Sequence, residues 1–327
     1  MMSSSAARVV VVGSFNVDHV WHSPALPRPG ETLQGEYRSG PGGKGFNQVV
    51  AAARAGAQTA FVCALGDDAG GALARQLADT DGIDLQDLRS GSPTGTAGIY
   101  VDDDGRNCIV IGAGANADLS ADFVSARAGA IGGARIVLAQ LESPVESVLE
   151  AMRLARAAGV RTLLNPAPAN AECPRELLAV ADVVTPNETE FTTLLSRHAH
   201  EEVDADSLVA LDDARLHRLC RTLLPRGTVV VTLGAAGCFV SHREDKTRGD
   251  ARDHYRVAAE RVEPIDTTGA GDAFNGALAA SMARDAEAPF QAHVRYATRY
   301  AALSTEREGA AAAMPAQGDM ERRFAGR

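Results

Sequence analysis

Short runs of apolar residues recur along the chain. They are rich in Val and Leu and stay apolar without alternation, a pattern typical of strands that are buried on both faces. We therefore predict buried strands at residues 8–13, 59–65, 135–141, 161–165, 182–185 and 228–233.

Segments with helical periodicity lie between these runs. In residues 145–155, Val145, Val148 and Met152 fall on one face of a helix and Glu150 falls on the opposite face. Such strand–helix alternation predicts a mostly parallel sheet with helices on both faces, and ligands bind beyond the carboxyl ends of such strands. Similar helical segments are predicted at residues 47–55, 69–79 and 213–224.

Two segments interrupt the alternation. Residues 15–42 are too long for a simple strand–helix connection and contain several prolines, whereas residues 94–113 have the pattern of a hairpin with a D-D-D-G turn. Together they predict a small, separate β layer. Long insertions above the ligand end of a sheet are often lids, although a hairpin that merely decorates the sheet edge is the other interpretation.

The chain is predicted to form one domain over residues 1–327. Two further polar stretches, residues 196–213 and 242–260, are predicted to be surface excursions. Neither resembles a linker that would separate independent domains, and no internal repeat is visible.

Composition restricts the class of partner. The formal net charge of −10 argues against a nucleic-acid partner, because no basic stripe is available to neutralise phosphates. No signal peptide is visible at the N-terminus, and the first apolar run is too short to span a membrane. The five cysteines are scattered and never spaced C-x-x-C, which predicts reduced thiols in a cytoplasmic protein.

The most informative motif is D-T-T-G-A-G-D at residues 266–272, which leads into a predicted helix. Gly269, Ala270 and Gly271 can turn backbone N–H groups outward at the positive end of that helix and bind an anion without a cationic side chain. Asp272 beside this turn is suited to accept a proton from a hydroxyl that attacks a phosphoryl group. A helix N-terminus with an ordinary acidic residue in its first turn is the alternative interpretation.

Two motifs near the N-terminus suit a sugar. Asn16 and Asp18 lie on the same side of an extended backbone, and an amide with a carboxylate can bind several hydroxyls. An Asx turn at the end of a strand is the other explanation. The motif P-G-G-K-G-F-N-Q at residues 41–48 allows close backbone approach and supplies Lys44, which can anchor sugar oxygens or a transferred phosphate, but it lacks the Walker A pattern.

Two later motifs suit a nucleotide. Asn187 and Glu190 open a predicted helix; they can complement its dipole, or they can hold Mg²⁺ through water. Residues 232–237, T-L-G-A-A-G, form a glycine-rich turn after a strand, which suits a nucleotide and can also simply open a hairpin. Glu142, after the strand at 135–141, adds one more polar side chain at the ligand end.

These motifs occur in one order, and the chain resembles the ribokinase-like sugar kinases, the PfkB family, from about Arg8 to Pro315. The resemblance implies a three-layer α/β/α sandwich with a mostly parallel central sheet and a small β-sheet lid, through which such chains often form homodimers. The matching motifs are G-S-F-N-V-D at 13–18, G-G-K-G-F-N-Q at 42–48, Q-L-E-S at 140–143, N-P-A-P-A at 165–169, T-P-N-E-T-E at 185–190, T-L-G at 232–234 and D-T-T-G-A-G-D-A-F-N-G at 266–276.

The resemblance also implies roles for individual residues. Asp272 matches the general base, and Gly269, Ala270 and Gly271 match the anion hole. The positions that match the sugar site are Asn16, Asp18, Gly42, Gly43, Lys44, Asn47 and Glu142. The positions that match the site for ATP and its Mg²⁺ are Asn187, Glu190, Thr232, Gly234, Ala235, Gly237, Gly271 and Thr298. The positions that match a monovalent-cation site, occupied by K⁺ in the family, are Asp266, Thr268, Ser304, Arg307, Gly309 and Ala313.

Three positions depart from the family's pattern. Phe46 replaces a small residue, which predicts a different pocket shape near the sugar. Ala313 stands where a Ser hydroxyl is common, which puts one cation ligand in doubt, and Thr298 stands where a larger polar residue often flanks adenine. None of these positions touches the chemical step.

The activity implied by the resemblance is transfer of the γ-phosphoryl group of ATP to the 5-hydroxyl of D-ribose, giving ribose 5-phosphate. A kinase for a nucleoside or another sugar is the nearest rival, because Phe46 could stack on a base. A non-catalytic sugar-binding protein would need neither Asp272 nor the anion hole. A dinucleotide-binding oxidoreductase is disfavoured because Gly13 is not followed by G-x-G-x-x-G.

Overall fold

Strands and helices alternate along most of the chain in the computed structural model, which describes residues 8–325. The strands are β1 (Arg8–Val12), β2 (Asn16–Ser23), β3 (Glu36–Gly42), β4 (Gln58–Gly66), β5 (Asp84–Ser90), β6 (Gly95–Asp102), β7 (Asn107–Gly112), β8 (Ile136–Ala139), β9 (Arg161–Leu164), β10 (Val183–Val184), β11 (Thr228–Thr232), β12 (Cys238–Ser241) and β13 (His254–Val257). The helices are α1 (Lys44–Arg54), α2 (Ala69–Thr80), α3 (Ala121–Ser125), α4 (Ala128–Gly132), α5 (Val145–Ala157), α6 (Arg175–Val180), α7 (Glu188–Ala199), α8 (Asp213–Leu223), α9 (Ala270–Arg284), α10 (Phe290–Ser304) and α11 (Gln317–Phe324).

The apolar runs form one large sheet. Its nine strands have the order β13-β12-β11-β10-β9-β8-β1-β4-β5. The strands from β11 to β5 run parallel, and β12 and β13 add an antiparallel edge. All the predicted strands belong to this sheet, so the prediction of a mostly parallel sheet is confirmed.

Both faces of the large sheet are covered by helices. Alternate residues of β1 belong to opposite cores, with Val9 and Val11 on one side and Val10 and Val12 on the other. Helices α1, α2, α9, α10 and α11 contribute to the first core, and α3 to α8 contribute to the second. This arrangement explains why the strands are apolar without alternation, and it confirms the predicted three-layer sandwich.

The two interrupting segments form a second sheet. Its four strands have the order β3-β2-β6-β7, with β2 parallel to β6 and the other pairs antiparallel. The predicted hairpin is β6–β7, and the carboxylate of Asp102 closes its turn by accepting hydrogen bonds from the backbone N–H groups of Asp104 and Arg106. The small β layer predicted at residues 15–42 and 94–113 is therefore present.

The prediction of surface excursions was wrong for parts of both segments. Residues 242–260 contain β13, and the side chains of His242 and Tyr255 are buried. Residues 196–213 contain the end of α7 and the buried Leu208. Strand β13 was missed because it is short and lacks the continuous apolar run that marked the other strands.

The carboxyl ends of the central strands point toward one edge of the sheet. The first polar side chains after β1, β8, β9 and β10 are Ser14, Gln140, Asn165 and Thr185, and all four are buried. None of the helices in residues 8–325 is long and apolar enough to cross a membrane. The predicted site is expected at the edge of the sheet where these four buried polar residues lie.

Candidate active site

Asp272 lies in the first turn of α9. Gly269 caps this helix with φ of 75°, and a Cβ on Gly269 would lie 2.9 Å from the Cβ of Ala310. The Asp272 carboxylate is buried, and its Oδ2 and Oδ1 atoms accept hydrogen bonds from Asn47 Nδ2 and Gln48 Nε2, both at 2.9 Å. Two amides from α1 therefore fix the orientation of the predicted base.

A buried chain of amides and hydroxyls continues beneath Asp272. Gln48 Nε2 also donates to Asn165 Oδ1 at 3.0 Å, and Gln48 Oε1 accepts from Gln140 Nε2 at 2.5 Å. Asn165 Nδ2 donates to the backbone oxygen of Thr185 at 3.1 Å. Residues from α1 and from the ends of β8, β9 and β10 are thus tied to one carboxylate.

The same chain reaches the predicted anion hole. Thr185 Oγ1 donates to Asn275 Oδ1 at 2.5 Å, and Asn275 Nδ2 donates to the carbonyl oxygen of Gly271 at 2.8 Å. Since these groups are buried and hydrogen-bonded, the first turn of α9 is held rigidly against the sheet.

The environment of Asp272 favours a base. Burial raises the pKa of Asp272 above its usual value, although the ammonium of Lys44 and the hydrogen bonds from Asn47 and Gln48 act in the opposite direction. The Glu142 carboxylate raises the pKa further. A carboxylate with a raised pKa takes up a proton more readily than an ordinary exposed Asp does.

Lys44 supplies a cation among several carboxylates. Burial would lower the pKa of Lys44, but the carboxylates of Asp272, Glu142 and Glu190 outweigh burial and raise it. The ammonium therefore stays protonated. Because Glu142 and Glu190 belong to the predicted sugar and nucleotide regions, Lys44 lies where the two regions meet.

Glu142 binds the N-terminus of α1. Its Oε2 atom accepts hydrogen bonds from Ser14 Oγ at 2.6 Å and from the backbone N–H of Lys44 at 3.0 Å. A carboxylate at this position complements the helix dipole. Its other oxygen has no hydrogen-bond partner within residues 8–325, so it can accept a substrate hydroxyl.

The glycines of the G-G-K-G motif mainly make room for neighbouring protein atoms. A Cβ on Gly42 would lie 2.1 Å from Asp18 Oδ2, and one on Gly43 would lie 2.7 Å from the backbone nitrogen of Asn16. Because Gly42 and Gly43 have no side chains, Asp18 and Asn16 can pack against the start of α1. The helix begins at Lys44, three residues earlier than the sequence predicted.

Asp18 has the clearest electrostatic signature in the predicted sugar site. Burial, followed by the Glu142 and Asp272 carboxylates, raises its pKa from 3.8 to about 7. Asn16 is buried and accepts a hydrogen bond from Asn116 Nδ2 at 2.8 Å. Asn47 Oδ1 is buried without a hydrogen-bond partner in the described part of the chain, so this oxygen is available to a hydroxyl donor.

The predicted nucleotide residues lie beside this cluster. Asn187 and Glu190 form a capping box at the start of α7, in which each side chain bonds the backbone of the other. The backbone N–H of Thr232 donates to Pro186 O at 2.9 Å, which joins the end of β11 to this capping box. Glu190 is buried, and burial raises its pKa.

The glycine-rich turn after β11 is tight. Gly234 and Gly237 have φ of 50° and 92°, and a Cβ on Gly237 would lie 2.0 Å from the backbone oxygen of Val257. Ala235 is exposed within the turn. Thr298 is buried on α10, where its hydroxyl donates to the Val294 carbonyl. Residues 234–236 are therefore exposed to solvent, whereas the Thr298 hydroxyl is bonded within its own helix.

The N-terminus of α9 is open toward solvent. The first N–H that donates within the helix is that of Ala273, which bonds to Gly269 O. The N–H groups of Gly271 and Asp272 precede it and have no acceptor within the helix. Nothing lies within 4 Å of a Cβ built on Gly271, which is exposed. The N–H groups of Gly271 and Asp272 are therefore available to an anion beside the Asp272 carboxylate, whereas the N–H of Ala270, also predicted for the anion hole, donates to Thr267 O at 3.2 Å.

The predicted cation segment is organised around Asp266. Its Oδ1 and Oδ2 atoms accept hydrogen bonds from the backbone N–H groups of Thr268 and Gly309, both at 2.9 Å. These bonds outweigh partial burial and lower the pKa of Asp266. Asp266 therefore stays ionised and joins the two chain segments that supply the predicted ligands.

The side chains of Ser304 and Arg307, two further predicted cation ligands, are engaged in other contacts. Ser304 Oγ donates to the Ala301 carbonyl, and the Arg307 guanidinium binds Asp319 at 2.9 Å. Ala313 is buried and has only its carbonyl oxygen to offer. Oxygen ligands of this kind suit a hard cation such as K⁺.

Phe46 does not lie in the ligand region. It is 1% exposed and packs edge-on against Phe15, with 5.0 Å between ring centroids, and it also contacts Phe61. The expectation that Phe46 could stack on a base is therefore wrong, and any effect of Phe46 on the shape of the sugar pocket would have to act through its neighbours. In the first turns of α1 this side chain points into the core, while Asn47 points toward Asp272.

The buried residues that support Asp272 were not predicted. Gln48, Gln140, Asn165, Thr185 and Asn275 all lie in the matched motifs, but no role was assigned to them. Their polarity next to buried strands was the available signal, because a buried amide needs hydrogen-bond partners.

The chain belongs to the pfkB family carbohydrate kinases, whose family model matches residues 6–317. It is 37% identical to the ribokinase of Haemophilus influenzae over 94% of this chain and 95% of that protein. The ribokinase structure of Thermotoga maritima superposes with a TM-score of 0.83 at 30% identity, covering 96% of this chain and 98% of the other. The structure of Arabidopsis thaliana ribokinase complexed with ribose and ATP superposes with a TM-score of 0.79 at 29% identity, covering 98% and 100%.

Proposed function

We propose that this protein is an ATP-dependent kinase that transfers the γ-phosphoryl group of ATP to the 5-hydroxyl of D-ribose, giving ribose 5-phosphate and ADP. The observation that carries the proposal is a buried carboxylate, Asp272, held by Asn47 and Gln48 directly beside the open N-terminus of α9. The similarity to ribokinases of other organisms supports D-ribose as the acceptor sugar.

In this proposal, ribose is bound by the carboxylates and amides around the start of α1. Asp18 and the free oxygen of Glu142 accept hydrogen bonds from sugar hydroxyls, and Asn47 Oδ1 accepts another. Asn16, Gly42 and Gly43 shape the same wall of the site. Each hydrogen bond to a charged group contributes about 1.5–3 kcal/mol, so a few of them suffice for selective binding of a small polyol.

ATP is proposed to lie along the ends of β10 and β11, with its ribose or phosphates against residues 232–237 and its γ-phosphate at the N-terminus of α9. Asp272 takes the proton of the attacking hydroxyl as the new P–O bond forms. The N–H groups of Gly271 and Asp272 and the Lys44 ammonium then stabilise the negative charge on the transferring group. Because these donors are already in position before the reaction, they need no reorganisation in the transition state.

Two cations are part of the proposal. The carboxylates of Asp18, Glu142, Glu190 and Asp272 exceed the single positive charge of Lys44, and such an excess of negative charge suits Mg²⁺ brought in with ATP. Glu190 and Asn187 would hold Mg²⁺ through water, because the capping box already uses their side chains, and the ion would neutralise phosphate charge. K⁺ would bind the carbonyl-rich segment around Asp266 and stiffen the anion hole.

We further propose that the protein works as a homodimer in the cytoplasm, with the small sheet serving as lid and interface. Every residue of β7 is exposed, including Ile109, Val110 and Ile111, each at least 50% accessible. An exposed apolar edge strand is a hazard for a monomer and is normally covered. The five cysteines are all free thiols, which fits a reducing compartment.

The dimer proposal is tested by Val110→Asp, with Val209→Asp as the control. Both valines are exposed, at 66% and 43%, but Val209 lies outside the small sheet. Sedimentation of the purified protein should give a dimer for the wild type and for Val209→Asp, and a monomer for Val110→Asp. A wild-type protein that sediments as a monomer at micromolar concentration would contradict the proposal.

The activity is tested by ATP consumption with ribose, deoxyribose, fructose, adenosine and inosine, using Asp272→Asn to subtract background hydrolysis. We expect the highest kcat/KM with ribose. A higher value with a nucleoside would support the rival reading, although the burial of Phe46 removes the observation that favoured it. No turnover with any acceptor would support a non-catalytic binding protein.

A further inference from the structure

We propose that His217, Asp253 and His254 form a binding site for a first-row transition-metal dication, with Zn²⁺ as the best-fitting ion. The three residues each offer one ligand atom, these atoms lie within 4.8 Å of one another, and all three residues are half-buried. Two imidazoles and one carboxylate, completed by water, are a ligand set that Zn²⁺ commonly takes in proteins.

The cluster joins a helix to the edge of the large sheet. His217 lies on α8, and His254 opens β13, where it is paired with Ser241 of β12. At the other end of these two strands, Cys238 pairs with Val257 beside the glycine-rich turn of the nucleotide region. The cluster therefore lies at the end of the β12–β13 hairpin that is remote from the proposed active site.

The cluster combines one hydrogen bond with one wider gap that an ion can bridge. His217 Nε2 lies 3.7 Å from Asp253 Oδ2, which is too long for a hydrogen bond. Ligand atoms on a tetrahedral Zn²⁺, at about 2.0–2.2 Å from the ion, are about 3.3–3.6 Å apart. His254 Nδ1 lies 2.8 Å from Asp253 Oδ1, at hydrogen-bond distance. A bound ion would replace the proton that these two atoms share.

The ring of His217 is held in an orientation that suits a ligand. Its Nδ1 atom lies 2.9 Å from Ser241 Oγ, and donation to that oxygen leaves the lone pair of Nε2 directed at Asp253. Metal-bound histidines are usually fixed by such a second hydrogen bond. The His254 ring stacks against the His217 ring with 4.5 Å between centroids, which keeps the two imidazoles together.

The cluster is open to ions from solvent. Asp253 and His254 line a cavity of about 530 Å³ that also contains Asp213 and Glu244. The nearby guanidinium of Arg256 is paired with Asp213 at 2.7 Å. The Arg221 Nε atom, in turn, donates to Ser241 Oγ at 3.0 Å. A hydrated dication can therefore reach the ligands, and it would clamp α8 to the β12–β13 hairpin.

The test uses the tag-free, chelator-treated full-length protein in a Cys108→Ser background, because Cys108 is the exposed cysteine. Co²⁺ is titrated in excess Mg²⁺, which occupies oxygen-rich sites, and the visible absorption of tetrahedral Co²⁺ is recorded. We expect one equivalent of Co²⁺, displaced by Zn²⁺, without the charge-transfer band of a thiolate. Saturating Zn²⁺ should also raise the unfolding temperature by several degrees.

The variants are His217→Gln, His254→Gln and Asp253→Asn, each of which should weaken metal binding at least about tenfold. Ser241→Ala, which removes the hydroxyl that holds His217 Nδ1 and also accepts from Arg221 Nε, should weaken it about tenfold. His22→Gln is the matched control, because His22 lies 3.8 Å from Asp103 on the surface and belongs to no three-ligand cluster within residues 8–325. Circular dichroism and thermal unfolding without metal would show that each variant folds.

Three results would overturn the proposal. One is the absence of tetrahedral Co²⁺ absorption at millimolar metal. Another is binding that is equal in the wild type and in folded His217→Gln and His254→Gln. The third is a spectrum with a thiolate band, which would assign the metal to cysteine.

Discussion

The ionisation of Asp18 is expected to control the affinity for ribose. The pKa of Asp18 is raised to about 7, first by burial and then by the Glu142 and Asp272 carboxylates. An ionised carboxylate accepts hydrogen bonds from hydroxyls with both oxygens, whereas protonation removes part of this capacity. Because the ionised form is the one that binds, affinity should be full above the pKa and should fall as the pH drops through 7.

The size of the effect follows from the fraction of Asp18 that is ionised. With a pKa of about 7, that fraction is about nine tenths at pH 8 and about one tenth at pH 6. The apparent Kd equals the intrinsic Kd divided by this fraction, so Kd for ribose should be about tenfold higher at pH 6 than at pH 8. An ordinary Asp, with a pKa near 3.8, would give no change over this range.

Isothermal titration calorimetry with ribose in the absence of ATP measures this Kd at pH 6, 7 and 8. Repeating the pH 7 titration in two buffers of different ionisation enthalpy should show release of about half a proton per ribose. Asp18→Asn should bind weakly at all three pH values. Asp272→Asn should keep the pH dependence with a midpoint at lower pH, because it removes one of the charges that raise the Asp18 pKa.

The reasoning about Asp18 fails if wild-type affinity is flat between pH 6 and 8. It also fails if Asp18→Asn shows the same pH dependence as the wild type. Tighter binding at low pH would show that the protonated acid is the form that holds the sugar.

Asp272→Asn should fold normally and lose about 10²-fold or more in kcat; near wild-type turnover would remove Asp272 as the base. Gln48→Met leaves Asp272, Asn165 and Gln140 each without one buried hydrogen bond, at about 1–3 kcal/mol apiece, and should lower the free energy of unfolding by at least about 3 kcal/mol. Denaturant titration measures this loss, and an unchanged midpoint would show that the buried chain is dispensable. K⁺ should raise activity severalfold over a buffer of large organic cations, and Asp266→Asn should abolish that activation; equal rates in both buffers would exclude a functional cation site.

Much of the fold was predictable from local pattern. The continuous apolar runs predicted six of the nine strands of the large sheet, and the interrupted periodicity at residues 15–42 and 94–113 predicted the small sheet. The motif at residues 266–272 predicted a helix start, and α9 begins there. Such features depend on neighbours in sequence, so a single chain reveals them.

Other features depended on which segments meet. Gln48 donates to Asp272 across 224 positions of sequence, and Asn165 receives its bond from Gln48 across 117 positions. No periodicity reports these contacts, because they arise only when the sheet aligns the ends of separate strands. The four residues of β13 were missed for a similar reason, since pairing with β12 defines that strand.

The direction of a side chain was the finest detail that only packing decided. Phe46 and Asn47 are adjacent in one motif, yet Phe46 enters the core against Phe15 while Asn47 bonds Asp272. The helical turn of about 100° per residue separates them, and the phase of that turn is set by how α1 packs on the sheet. Residue types therefore indicated the chemistry of this protein, and the tertiary structure decided which of them share a site.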